Sequence, residues 1–331
     1  MAGNNSENKK INPYISFVVA ARNDNYGGNF LYRVQIFVNS LLTLWEKYSL
    51  NSELIIVEWN PPSNAKKLSE VLIWPKCLKP GQVRFIEVPN EIHKKFSNSD
   101  RMPMFEYIAK NVGIRRAKGE YVLATNPDLL FNEELIKFFS TEKLSTNCFY
   151  RLNRYDLKKI VPFDTSIEEQ LDFCEKNWVG VCTIKGSFVR GHWLQNLRTR
   201  LFMLAFESKG RLTRDYRFKI YAAASGDFFL MVNSQWQKLR GYPESKTQSF
   251  IDGYICFKAA SSGLSQIILN NEKRIYHQYH ERFESSKRPL TNYQLYKKHI
   301  KQMMKENSPL ILNDENWGLG DVILKDTDYK L

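Results

Sequence analysis

Seven residues of this 331-residue chain have the types and the order along the sequence to act together: Asp24, Glu58, Asp128, Asp227, Asp252, His277 and His280. Taken singly, each acid reads as a cap or turn residue. Asp128 stands in "YVLATNPDLLF", where an apolar run meets the polar step Asn126-Pro127-Asp128, and the histidines share "YHQYH". Carboxylate oxygen with imidazole nitrogen is a hard-to-borderline donor set suited to Mn2+ or Mg2+. Such an ion neutralises a diphosphate. Residues three apart on a strand face opposite ways, so the two histidines serve one centre only if the segment turns.

The acids need elements that bring them together. "YISFVVAARND" (Tyr14–Asp24), "SELIIVEWNPP" (Ser52–Pro62), "VRFIEVP" (Val83–Pro89) and "EYVLATN" (Glu120–Asn126) read as buried strands, the first of them covered on both faces. Phe30–Tyr48 spaces Leu31, Val34, Phe37, Val38, Leu41, Leu42 and Trp45 at helical intervals, and Met104–Ala117 reads as a second helix. This alternation predicts an α/β fold: a mostly parallel central sheet flanked by helices, with ligands at the carboxyl ends of the strands. Further on, strands are expected at Cys148–Asn153 and Val179–Val189, and a helix at Leu194–Gly210. Ser225–Glu244 reads as a strand and a short helix, Phe250–Gly263 as a helix with Asp252 at its start, and the lysine-rich tail as helical. The expected partition is a disordered leader over 1–12, one domain over 13–281 and a C-terminal helical extension over 282–331.

The formal charge of +13 favours polyanions, phosphate-bearing small molecules or an anionic membrane face. Basic residues are spread along the chain, and ribonucleoprotein, zinc-finger and helix-turn-helix patterns are absent, so no nucleic-acid partner is expected. Walker and GxGxxG loops and a GxSxG elbow are also missing. Five scattered cysteines without a CxxC pair indicate a reducing compartment. No stretch has the length and apolarity of a transmembrane segment or a signal peptide. A soluble cytoplasmic protein is expected, with peripheral contact at the inner face of a membrane raised by the charge and by Tyr293 and Tyr296 in the tail.

The order of these motifs resembles the nucleotide-sugar glycosyltransferases of the GT-A type, over roughly Ile15 to His280. "AKNVGIRRAKGEYVLATNPD" is similar to the family's stretch RN-x-G-x₃-A-x-G ending in Asp-x-Asp, with Lys110-Asn111, Gly113, Ala117 and Gly119 in register. Asn126-x-Asp128 then falls on the metal motif. "SGDFFLMVNSQWQKLRGYPES" resembles the segment where donor sugar and acceptor meet, and Asp252 follows where inverting members place a catalytic acid. "AARNDNYGGN" and "ELIIVEWNPP" also look like an uncharacterised branch of these enzymes.

The resemblance implies a Rossmann-like GT-A domain, with 13–128 as the nucleotide-binding half and 129–281 as the acceptor and catalytic half. It implies transfer from a nucleotide-diphosphate sugar, UDP-sugar favoured and GDP-sugar the alternative, to a hydroxyl of a glycan or lipid-linked glycan. Inversion and assistance by Mn2+ or Mg2+ are part of that expectation. Ala21, Arg22, Asp24, Glu58, Lys110, Asn111 and Asn126 would meet the donor nucleotide. Asp128 with His280 or His277 would hold the metal, Asp227, Gly226 and Trp236 would meet sugar or acceptor, and Asp252 would be the general base. Two residues depart from the pattern: Asn126 replaces the first aspartate of the metal motif, and Ile251 precedes Asp252 where the family has glutamate. Those departures suit a second reading, a nucleotide-sugar-binding or scaffold domain without catalysis.

Overall fold

The continuous apolar runs form the centre of an eight-stranded sheet in the computed structural model, which describes residues 12–213, 216–244, 250–281 and 293–328. The expected leader therefore lies, save Asn12, outside the described residues. The strands are β1 (Ile15–Ala21), β2 (Ser52–Trp59), β3 (Val83–Val88), β4 (Tyr121–Thr125), β5 (Leu129–Phe131), β6 (Cys148–Arg151), β7 (Arg154–Leu157), β8 (Trp178–Thr183), β9 (Gly186–Val189), β10 (Phe228–Val232), β11 (Ser265–Ile268), β12 (Ile275–His277) and β13 (Lys325–Asp328). The helices are α1 (Phe30–Lys47), α2 (Leu68–Val71), α3 (Asn90–His93), α4 (Glu106–Arg115), α5 (Glu133–Ser140), α6 (Ile167–Asn177), α7 (Trp193–Thr213), α8 (Asn233–Leu239), α9 (Ile251–Ser261) and α10 (Tyr293–Glu306).

The large sheet runs β11-β6-β10-β4-β1-β2-β3-β13. β4, β1, β2 and β3 are parallel, while β10 lies antiparallel to both β4 and β6. A second sheet runs β5-β12-β7-β8-β9. Every residue of β1 is buried, and the strand's period of two divides it between layers. Ile15, Phe17, Val19 and Ala21 pack with Phe37, Leu41 and Trp45 of α1. Val18 and Ala20 pack with Val112 of α4, Trp236 of α8 and Ile255 of α9. Helices thus cover both faces, as the strand-helix alternation predicts. Gly113 lets α4 approach the sheet, because a Cβ there would lie 2.5 Å from Val18 Cγ1.

The second half departs from the sequence reading in three places. Val179–Val189 is a hairpin of β8 and β9, not one strand, because Gly186 takes φ +109 and Thr183 Oγ1 donates to the Gly186 carbonyl across the turn. The strand expected at Cys148–Asn153 is present as β6, and β7, which the sequence reading lacks, follows it in the other sheet. The tail supplies the expected helix, α10, and also β13, which pairs antiparallel with β3. Arg84 of β3 is buried between Glu53 (3.0 Å) and Asp326 of β13 (2.5 Å). Tyr296 stacks on Phe250 and meets the edge of Tyr254, with ring centroids 5.2 and 5.1 Å away. Among the described residues no helix is long and apolar enough to cross a membrane.

Candidate active site

β4 stops at Thr125 and β5 begins at Leu129, so the Asn-Pro-Asp step is the junction between the two sheets. Proline cannot donate to the ladder, and the strand breaks there. Asp128 is buried in this junction, and its Oδ1 has no hydrogen-bond partner among the described residues. The turn that the two histidines require is present. β12 ends at His277, then the Gln278 N–H donates to the Asp128 carbonyl and the Glu281 N–H to that of Gly27. Both imidazoles consequently reach one carboxylate: His277 Nε2 lies 3.8 Å and His280 Nε2 3.7 Å from Asp128 Oδ2. Gly27, at φ +70, lets the loop after β1 close over His280, since a Cβ there would be 2.7 Å from its Nδ1.

One ligand atom from each of Asp128, His277 and His280 falls within 4.8 Å of the other two. One oxygen and two nitrogens around an unsatisfied buried carboxylate fit a borderline divalent cation such as Mn2+. An outer layer orients this set. His277 Nδ1 is 3.3 Å from Asp156 Oδ1, and Arg154 joins Asp156 (3.0 Å) to Asp227 (2.6 Å). Burial pushes the His277 pKa down, but Asp128, Asp156 and Asp227 outweigh it and raise the value. For His280 burial prevails and the pKa falls. Asp156 and Asp227 resist burial and stay below the usual carboxylate range, held by His277 and Arg154 in the first case and chiefly by Arg154 in the second.

Asn126 is explained by its neighbours. Its Nδ2 donates to Asp227 Oδ1 at 2.7 Å, while its Oδ1 accepts from Lys110 Nζ at 2.6 Å. An amide can be donor and acceptor at once, which a carboxylate in this place cannot. Lys110 is fully buried and also donates to Glu106 and to the Gly226 carbonyl, both at 2.8 Å. It braces the strand ends instead of presenting a free cation to phosphate. Asp252, in the first turn of α9, accepts from the Gly226 N–H at 3.3 Å, and burial raises its pKa.

In the loop after β1, Arg22 donates to the Asn60 carbonyl (2.7 Å) and pairs with Asp24 (2.5 Å). The two line a cavity with Tyr26, Arg101, Met104 and Glu106. Glu58 ends β2 almost fully buried, accepts from the Leu68 N–H at 2.9 Å, and has its pKa pushed up to about 7 by burial.

Besides Lys110, three sequence assignments need correction. Trp236 is fully buried with its Nε1 donating to the Val122 carbonyl, so no face of the indole meets a sugar. Asn111 is fully buried too, its side chain pinning Tyr242 and Glu244 of the loop after α8. The Ala21 methyl belongs to the core under α1. Three residues near the site went unread: Arg33, Arg154 and Asp156. Arg33 is buried on α1, its pKa lowered by burial against the pull of Asp128, with Nε and Nη1 unpartnered among the described residues. Its signal was a cation in the apolar stripe, three residues after Phe30 and four before Phe37. Arg154 and Asp156 stand two apart on β7, which puts them on one face.

The chain matches no protein-family model and no curated protein. Among solved structures it is similar to the mannosyltransferase PcManGT from Pyrobaculum calidifontis, in complex with GDP-Man and Mn2+, at 12% identity and a TM-score of 0.42, over 90% of this chain and 64% of that one. It is also similar to S. aureus TarS 1-349, at 12% identity and a TM-score of 0.43, over 80% of this chain and 60% of that one. The chain thus spans less than two thirds of the length of either.

Proposed function

We propose that this chain is a GT-A type glycosyltransferase that moves a sugar from a nucleotide diphosphate to an acceptor hydroxyl. The observation that carries the reading is the meeting of Asp128, His277 and His280 at the carboxyl end of central strand β4. That end of a parallel sheet is where open α/β folds bind ligands. A cavity lined by Asp156, His277, Gln278 and His280 opens beside the cluster.

In this reading Arg22 and Asp24, on the cavity wall, receive the nucleotide, while Glu58, almost fully buried, holds the Leu68 N–H at the start of α2. Asp128, His277 and His280 hold a divalent ion, Mn2+ or Mg2+, which when bound supplies Lewis-acid charge for the leaving diphosphate. Asp156 fixes the tautomer and orientation of His277. Asp227, held rigid by Arg154 and Asn126, offers its remaining lone pairs to sugar hydroxyls. Asp252 takes the proton from the acceptor hydroxyl, and a raised pKa makes it a better base. Displacement from the side opposite the leaving group then inverts the sugar carbon. A UDP-sugar is the favoured donor, a GDP-sugar the alternative, and a glycan or lipid-linked glycan the acceptor.

Calorimetry with UDP and GDP, with and without Mn2+, followed by turnover of a donor panel, tests the proposal. We expect metal-dependent nucleotide binding, and an Asp252→Asn variant that binds donor but loses about 10²–10⁴-fold in turnover. Nucleotide binding indifferent to EDTA would remove the metal assignment, and near-normal transfer by the variant would remove the base. Binding without turnover on any donor would favour a domain that has lost catalysis.

A further inference from the structure

Helix α7 is 21 residues long, and Gly210 alone of them is buried. It docks through a narrow stripe. The Asn196 side chain exchanges two 2.8 Å hydrogen bonds with the Val189 backbone of β9, and Thr199 and Met203 rest against Gly186. Away from that stripe, Trp193, Leu194, Leu197, Leu201 and Leu204 are each between 45% and 70% exposed. At 3.6 residues per turn these five side chains share an arc of about 100°. Arg198 and Lys209 lie about 40–60° beyond one edge, Arg200 about 20° beyond the other, and Arg211 on that edge itself, while exposed Phe202 stands on the far flank beside Lys209. Among the described residues none covers the arc. A contiguous exposed apolar face of this kind marks an interaction site.

We propose that α7 lies flat in the interface of an anionic lipid bilayer, with Trp193, Leu194, Leu197, Leu201 and Leu204 as the inserted face. Charge complementarity selects this occupant. The one acid of the helix, Glu207, is paired with Arg211, and Arg200 lies over the Phe188 ring with its charge unneutralised, which leaves Arg198 and Lys209 as the cations to face phosphate headgroups. The helix as a whole is only weakly amphipathic, because its docked stripe is also partly apolar; once that stripe is covered, the tryptophan and leucines of the free arc, with basic residues beyond its edges, suit the plane of the interface. A second copy of the chain fits less well. Leu194, Leu197, Leu201 and Leu204 have the spacing of a coiled-coil seam, but the run is shorter than two heptads. Pairing two such seams would gather Arg198 and Arg200 from each copy with no acid between them.

The surface is connected to the candidate active site. β9, on which α7 docks, closes the sheet β5-β12-β7-β8-β9, and β12 and β7 carry His277, Arg154 and Asp156. Strand spacing puts β9 roughly 15 Å from β12. A bilayer gripped by α7 therefore lies beside the half of the molecule assigned to the acceptor. The inference stands on α7 itself and survives if the glycosyltransferase reading fails.

The test is co-sedimentation of the intact protein with vesicles of phosphatidylcholine mixed with phosphatidylglycerol, against phosphatidylcholine alone. We expect at least about tenfold tighter binding to the anionic vesicles, weakened by salt. A Leu197→Glu/Leu201→Glu double variant should lose at least about tenfold in binding while keeping its circular dichroism, because both side chains are exposed. An Arg198→Glu/Arg200→Glu variant provides the same test should the first fail to fold. Brominated lipid should quench fluorescence in the wild type, with that component absent from Trp193→Phe. The proposal falls if anionic vesicles do not bind, if neutral vesicles bind equally, or if both variants still bind. It also falls if light scattering shows a dimer that the leucine variant abolishes.

Discussion

Glu58→Gln tests whether burial governs the carboxylate at the end of β2. Glu58 is 2% exposed, and its side chain accepts a hydrogen bond from the Leu68 N–H. Burial raises its pKa from 4.5 to about 7, with Glu87 adding to the rise and the Leu68 N–H and Lys67 opposing it. The native state therefore keeps a proton that the unfolded chain gives up. Stability from this group is complete below pH 4.5 and is lost as pH climbs to about 7. A displacement of that size amounts to about 3 kcal/mol. Glutamine preserves the volume and the acceptor for Leu68 but cannot ionise. The variant should match the wild type in acid and exceed it by up to about 3 kcal/mol near pH 8. Urea unfolding at stepped pH, with midpoints converted through a common slope, reads the difference directly. Two stability curves that stay parallel across this range would refute the reasoning, since Glu58 would then be ionised or solvated in the native state.

Asp156→Asn should lower Mn2+ affinity by about 10–100-fold by releasing His277, as measured by calorimetry. Arg84→Ala should cost about 3 kcal/mol in urea unfolding, because it leaves Glu53 buried without its cation and removes the anchor of β13. Asn126→Asp should destabilise by about 1–3 kcal/mol, since the new carboxylate faces Asp227 where an amide now donates. A variant as stable as the wild type in thermal melting would mean that Lys110 offsets the repulsion.

Much of the scaffold was legible for a simple reason. β1, β2 and β4 are buried at every residue, so apolar residues dominate their sequences, with Ser16, Glu53 and Glu58 among the polar exceptions. Asp128 with His280 or His277 could be offered as candidate ligands from the resemblance, although whether both histidines faced one centre depended on a turn after His277. What stayed hidden depends on contacts distant in sequence. Trp236 and Asn111 look like site residues within their motifs, and their burial is set by Val122 and Tyr242. Asp156 has no local pattern to distinguish it, because its role arises from β7 pairing with β12, more than a hundred residues later. The bare face of α7 was unreadable for the same reason: which arc of a helix docks is decided by its partner.

The last strand sets a timetable for synthesis. Arg84 and Asp326 are 242 residues apart in the chain, yet they join across one ladder. At a translation rate of roughly 5–20 residues per second, β3 waits on the order of 10–50 seconds for its neighbour. During that interval its edge is open to any other strand in the vicinity. Arg84 is suited to guard it, as a long charged side chain on an unpaired edge, only part of it engaged by Glu53, discourages wrong pairing until Asp326 emerges and takes its free face. The residue that closes the finished sheet would thus also protect the nascent one.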